Sequence, residues 1–378
     1  MVHEMTSPDL TESQRTMPPG STPVGLADVA REAGVSTTLV SRVLRGKRGN
    51  VRFSEETEQR IRRIADELGY VPRRDAQNLK HRRSRTVALL SPQGPEGVRG
   101  IDAWGNHFLH QLLEGIETAC QEHEYNCLYS HWSMEDSSLP HPRIMLDRSV
   151  DGVVLTDFTV RSVVDHLLET GVKCVQIGSN IDPVCEIDRY YGDLESAVRD
   201  VTAALYGHGH RRVWLFRPVG FGPDEIERAF LEAARRKEGL VAKSRDFGRF
   251  SEVIIEEQAA IVADAQDRPT ALICPNGQFA VGLAAALAKR GMECPRDYCM
   301  IAWLNEGWPV TYLPGSGSAL STIDLPYYNA ARVAATDLIR SLEAPSQELP
   351  TGYRNHMWPC KINWRASCEA AACVALPR

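Results

Sequence analysis

The sequence predicts an α/β protein in which a small head of three short helices precedes two lobes of doubly wound parallel sheet. Helical stripes at close spacing before residue 71 predict the head, and repeated alternation of apolar strands with amphipathic helices after Arg85 predicts the lobes. The third observation is a division of charge. Between Val24 and Arg85 stand 15 Lys/Arg against 8 Asp/Glu, net +7, whereas the remainder carries 28 against 41, net −13. A basic head on an acidic body implies a polyanion-binding module joined to something that does not bind polyanions.

Residues 1–23 are rich in Ser, Thr and Pro without periodicity and are expected to form a disordered leader. Leu26, Val29, Ala30 and Ala33 then mark one face of a helix that Gly34 stops. Ser36 is placed to cap a second helix with Val40, Val43 and Leu44 inward, so that Gly34, Val35 and Ser36 form a three-residue turn. A third helix starts at Ser54, with Glu55 and Glu56 in its positive first turn, and runs through Ile61, Ile64, Ala65 and Leu68 to Gly69. Beyond Arg85, buried strands are expected over Thr86–Leu90, Cys127–Ser130, Gly152–Thr156, Cys174–Ile177, Arg212–Phe216, Ala271–Cys274 and Met300–Leu304. Amphipathic segments such as Leu109–Glu122 and Gly282–Arg290 separate them.

Composition narrows the class. At 43% hydrophobic, 378 residues can bury more than one core. No stretch approaches the roughly 20 apolar residues of a membrane helix, and the first residues lack the apolar core of a signal peptide, so a cytoplasmic protein without membrane attachment is expected. The ten cysteines are irregularly spaced with no CxxC pair and read as reduced packing thiols. No nucleophile elbow, phosphate loop or metal-ligand spacing is present, so neither enzymatic activity nor a cofactor or metal is expected.

The segment from Leu26 to Leu44 resembles the helix-turn-helix of the LacI/GalR family of transcription regulators, with Ala30 at the helix contact, Gly34 at the turn and polar residues opening the second helix. The resemblance implies double-stranded DNA as partner, read by Thr37, Thr38 and Arg42. The threonines suit a thymine methyl or a single hydrogen bond, and Arg42 suits either a guanine edge or a phosphate. Ser36 and Ser41 are assigned to capping and phosphate binding. Arg45 stands where relatives carry Asn, and the longer following loop offers Lys47, Arg48 and Arg52 either as phosphate contacts or as a solvated loop. The stretch Leu68–Leu79, with Arg73 in place of the usual Asn after Pro72, resembles the family's hinge helix. There a leucine wedges a base step in the minor groove; Leu79 holds that position, with Ala76 on the same face.

The resemblance continues toward the C-terminus through Leu112–Glu117, Ser149–Val154, Gly207–Val213, Pro269–Asn276, Ser321–Ile323 and Pro359–Ser367. It implies a periplasmic-binding-protein-like domain that closes on a small effector at the carboxyl ends of its strands. The implied organisation is a head over 24–70, a hinge over 71–83, and an effector-binding and dimerisation domain over 84–378. Its first lobe covers about 84–191 and 324–343, and its second about 192–323 and 344–370.

Asp188, Asn276, Trp303, Asn305 and Phe108 are the candidate effector contacts, Asp188 and Phe108 being equally readable as a structural cap and a core ring. Trp104, Phe158 and Phe221 are further candidates for an aromatic wall. Other positions depart from the family: Arg189 replaces Asn, Gly277 and Leu304 replace Asp, and no arginine precedes the helix at Ala229 with the usual spacing. His208 and His210 fall in a loop that the family uses as a cap and turn rather than a metal site.

The whole implies a homodimeric repressor that binds a pseudo-palindromic operator under control of a small, sugar-like effector. No leucine heptad follows Arg365, which argues against a coiled-coil tetramer. The competing readings are a solute-binding receptor of the same two-lobed fold, and a regulator that has lost sugar binding and answers to a protein partner.

Overall fold

The computed structural model describes residues 24–44, 53–70, 83–93, 104–133, 144, 149–156, 161–178, 187–218, 224–248, 251–305, 307, 309–344 and 353–368. Two compact units divide at Arg82 and Arg83.

In the first unit, α1 (Leu26–Ala33), α2 (Thr37–Leu44) and α3 (Glu55–Glu67) enclose one core. Gly34 ends α1 in the left-handed conformation at φ 65°, which lets the Val35 amide donate back to the Ala30 carbonyl at 3.0 Å and turns the chain into α2. Val29, Val40 and Ile61 are completely buried, and Ala30, Ala33, Val43, Ile64 and Ala65 complete the core. Full burial of an aliphatic side chain of this size contributes about 1.5–3 kcal/mol.

The second unit follows one path through two sheets. Its first lobe begins with β1 (Thr86–Gln93), α4 (Trp104–Glu122), β2 (Asn126–Ser133), β3 (Gly152–Leu155), α5 (Arg161–Glu169), β4 (Lys173–Ile177) and β5 (Asp188–Asp193). The chain then crosses into α6 (Leu194–Gly207), β6 (Arg212–Pro218), α7 (Asp224–Arg235), β7 (Val241–Phe247), α8 (Glu252–Asp264), β8 (Ala271–Cys274), α9 (Gly277–Ala288), β9 (Cys299–Asn305) and β10 (Ser321–Leu325). It returns through α10 (Tyr327–Glu343) and β11 (Asn355–Pro359), and crosses a third time into β12 (Lys361–Asn363).

The first sheet runs β11-β5-β4-β3-β1-β2 and is parallel throughout. The second runs β12-β10-β9-β8-β6-β7, with only β12 antiparallel. Val87, Ala88, Leu89 and Leu90 are all fully buried because helices cover both faces, which is why the strand reads as an unbroken apolar run.

One expected boundary is corrected. The sequence puts the last piece of the second lobe from about residue 344, but β11 pairs with β5 and completes the first sheet, so the chain rejoins the second lobe only at β12. The cause is the inward face of β11, where His356 stacks on the Tyr190 ring at 4.3 Å and 5°, with Trp358 at 6.2 Å from the same ring.

At the crossings the backbone is tightly packed. A Cβ on Gly192 would lie 2.9 Å from Cys360 Sγ and 3.1 Å from Pro326 Cδ, so glycine is what lets the three connecting segments meet.

The start of β1 is fixed from both sides. The Asn126 amide donates to the Arg85 carbonyl and the Asp151 amide to the Thr86 carbonyl, each at 2.8 Å. Arg85 itself is left-handed, at φ 48°, a conformation that costs a residue with a Cβ about 1–2 kcal/mol.

Candidate nucleic-acid interface and strand-end edge

Ser36 caps α2, its Oγ accepting from the Leu39 amide at 3.3 Å and its carbonyl from the Val40 amide at 3.1 Å. Thr37 and Thr38 follow in the first turn and are exposed with Ser36, while Ser41 and Arg42 one turn on are half-buried. Val40 and Val43 on the opposite side are buried, so the polar residues of α2 take no part in the core. The arrangement presents hydroxyls and a guanidinium from a rigid helix whose amino end is electrostatically positive, which suits contact with a phosphate-bearing groove.

Other charges of the head serve its framework. The Gly25 amide donates to Asp28 at 3.0 Å and holds that carboxyl below its ordinary range, with Arg31 assisting. Arg63 pairs with Glu67 at 2.8 Å. Arg62 pairs with Glu58 at 2.9 Å and donates from Nη2 to the Val43 carbonyl at 3.2 Å, tying the carboxyl end of α2 to α3. In the sequence Arg62 is one positive charge among the fifteen between Val24 and Arg85. Its spacing from Glu58 signals an intrahelical pair, and nothing local signals its reach to Val43. Arg45, Lys47, Arg48 and Arg52, and the hinge residues Ala76 and Leu79, lie outside the described residues.

In the second unit the carboxyl ends of the parallel strands are where this architecture gathers ligands. Phe108 lies near the start of α4, with its ring edge-on to Tyr327 at 4.6 Å. Tyr327 opens α10 and packs against the cores of both lobes. Asn276 follows β8 and caps α9, its Oδ1 accepting from the Phe279 amide at 2.7 Å. Trp303 lies toward the end of β9 but is only 7% exposed, within the core formed by α6, α7 and the second sheet. Asn305 closes β9, and its side chain is outside the description.

Asp188 is not brought to that edge. It opens β5, opposite Val175 in the middle of β4, and accepts from the Arg354 amide at 2.8 Å and Arg354 Nη2 at 3.0 Å. The acidic residue at the carboxyl end is Asp193, which caps α6 by accepting from the Ser196 amide at 2.9 Å. The Asp-x-x-Ser pattern of a helix start was the available signal. Asp193 and Asp324 also face the Cys360 thiol, which burial first and these carboxylates second push up to about 12.

Trp104 opens α4, its side chain outside the description, and Phe158 and Phe221 lie outside the described residues. His208 and His210 are engaged separately. The first packs edge-on to Trp364 at 5.5 Å, and the second meets Thr270 Oγ1 through Nδ1 at 3.0 Å. Among the described residues no helix is long and apolar enough to cross a membrane.

Comparison with known proteins gives two family matches. The family described as bacterial regulatory proteins, lacI family, matches residues 25–73, and the periplasmic binding protein-like domain matches residues 202–368. The chain is 25% identical over 292 residues to the HTH-type transcriptional repressor PurR of Vibrio vulnificus, covering 74% of this chain and 81% of that one. It is 26% identical over 339 residues to the ribose operon repressor of Haemophilus influenzae, covering 86% and 94%. In fold it is similar to a crystal structure of the Lac repressor dimer bound to operator and the anti-inducer ONPF, with TM-score 0.74, 18% identity, and coverage of 94% and 100%.

Proposed function

Because this chain belongs to the lacI family of bacterial regulatory proteins, and so is a DNA-binding transcription regulator rather than an enzyme, we propose that it is a homodimeric repressor of a pseudo-palindromic operator. The observation that carries this reading is the exposed first turn of α2, where Ser36, Thr37 and Thr38 stand clear of a closed three-helix core. Thr37, Thr38 and Arg42 read base edges in the major groove, and Ser36 and Ser41 bind phosphate. Arg45, Lys47, Arg48 and Arg52 add phosphate contacts. Ala76 and Leu79 enter the minor groove once two hinges pair on DNA.

A small, sugar-like effector bound between the lobes changes operator affinity. Phe108, Asn276 and Asn305 support this by lying toward the carboxyl ends of strands from both sheets, as does the likeness to a ribose operon repressor. Asp193 joins them as the carboxylate at that edge, in place of Asp188.

The test is selection of bound duplexes from a random pool, followed by titration on the recovered sequence. A two-fold symmetric site is expected, and Arg42→Ala is expected to cost about 1–3 kcal/mol on it if Arg42 reads a base. A shallower salt dependence alone would make Arg42 a phosphate contact. Recovery of no preferred sequence would overturn the reading. Repeating the titration with a panel of sugars tests the effector, and silence across the panel would overturn the sugar-effector reading.

A further inference from the structure

Immediately beyond the segment assigned to the hinge, one carboxylate gathers three hydrogen bonds. Asp151 Oδ1 accepts from the Ser84 amide at 2.7 Å and from Ser84 Oγ at 3.0 Å, and Oδ2 accepts from the Arg85 amide at 2.8 Å. Two successive amides converge on one anion beside a left-handed residue, the kind of backbone concavity that binds anions. Asp151 immediately precedes β3, the strand next to β1 in the interior of the first sheet, so the anchor is part of the rigid framework. The Arg85 side chain reaches away to Glu124 at 3.3 Å and lies over the Tyr125 ring at 5.8 Å.

We infer that Asp151 is a positioning residue for operator binding, fixing the direction in which the chain leaves the sensing unit and so the separation that two heads of a dimer adopt. The inference rests on the DNA-binding reading above. Asp151 touches neither DNA nor effector in this role. It acts through Ser84 and Arg85, whose backbone it holds in a turn that Arg85 would not otherwise favour. A movement within the first sheet is thereby passed to the hinge as a displacement of Ser84. Without the carboxylate the exit turn relaxes, and each head is free to find its half-site at a range of separations.

The discriminating measurement is the dependence of affinity on half-site spacing, using the full-length protein and the duplex recovered from the random pool. For Asp151→Ala, affinity for the best-spaced operator should fall about 10-fold, while affinity for a single half-site and for unrelated duplex stays at the parent value. Discrimination against operators with one base pair inserted between half-sites should flatten. Asp151→Asn, which keeps the shape and one acceptor oxygen, should fall between the two, and it decides the matter if the alanine variant does not fold. Equal losses on operator and half-site, or an unchanged spacing profile, would overturn the inference. Failure of the parent protein to select any duplex would instead overturn the DNA-binding reading.

Discussion

The head and the sensing unit place their polar residues under different constraints. In the head a single core lies behind α2, and Ser36, Thr37 and Thr38 face outward from it. In the sensing unit, helices cover both faces of each sheet, and the polar residues at the strand ends also hold the fold together: Asn276 and Asp193 cap helices, while Trp303 is packed inside. Exposed residues at the start of α2 can therefore change with little effect on folding. At the strand ends, substitution of Asn276, Asp193 or Trp303 alters stability, so a change in binding there must be measured apart from it.

The strongest challenge to this contrast is Ile61→Ala. Ile61 is completely buried in the small head core, and its truncation is expected to cost about 2–5 kcal/mol, more than a unit of this size can readily absorb. DNA binding should be lost while the thermal transition of the sensing unit stays where it was. Movement of that second transition, read by calorimetry, would show that the two units do not unfold independently.

Asn276→Ala and Asp193→Ala each remove a helix cap and should destabilise the sensing unit by about 1 kcal/mol. Thr38→Ala in the head should stay within about 0.5 kcal/mol of the parent and change only base preference. Asp188→Ala breaks a pair with the half-exposed Arg354 and should cost about 0.2–1 kcal/mol. If Asn276→Ala lowered sugar response without lowering the melting temperature, its capping role would be secondary to recognition.

The smallest effect concerns the thiols. Burial raises Cys127 to about 11 and Cys120 to about 12, so at neutral pH each holds far less thiolate than an ordinary cysteine, by roughly a hundredfold for Cys127. Labelling followed by mass spectrometry should find both slow in the native protein, with rates rising as the buffer is made more alkaline. Fast labelling of Cys127 at neutral pH would show that the first lobe is more open than its packing implies.

Much of this was legible in the sequence where the signal is local. Gly34, Ser36 and Ser54 announce the turn and two caps because cap and turn chemistry acts within a few residues. The strands of β1, β3 and β8 stand out because both their faces are buried. The edge strand β7 is not legible in this way because all its residues before Phe247 are exposed or half-buried, with Lys243 lying over the Trp214 ring. Membership of β11 in the first sheet depends on a partner, Tyr190, far away along the chain, and no periodicity in Asn355–Pro359 encodes that choice. The position of the carboxylates is hidden for a similar reason: Asp188 and Asp193 both lie on β5, and only the direction of the strand tells which one reaches the edge.

The threefold passage between lobes has a consequence for biosynthesis. A ribosome that has already released β1 through β5 has made a sheet whose β5 border still lacks its neighbour, and whose face still lacks α10. The entire second sheet except β12 must be translated before those pieces emerge. The first lobe is thus the earlier to begin and among the last to close, leaving an unpaired strand border during elongation, when nascent chains are most prone to associate wrongly.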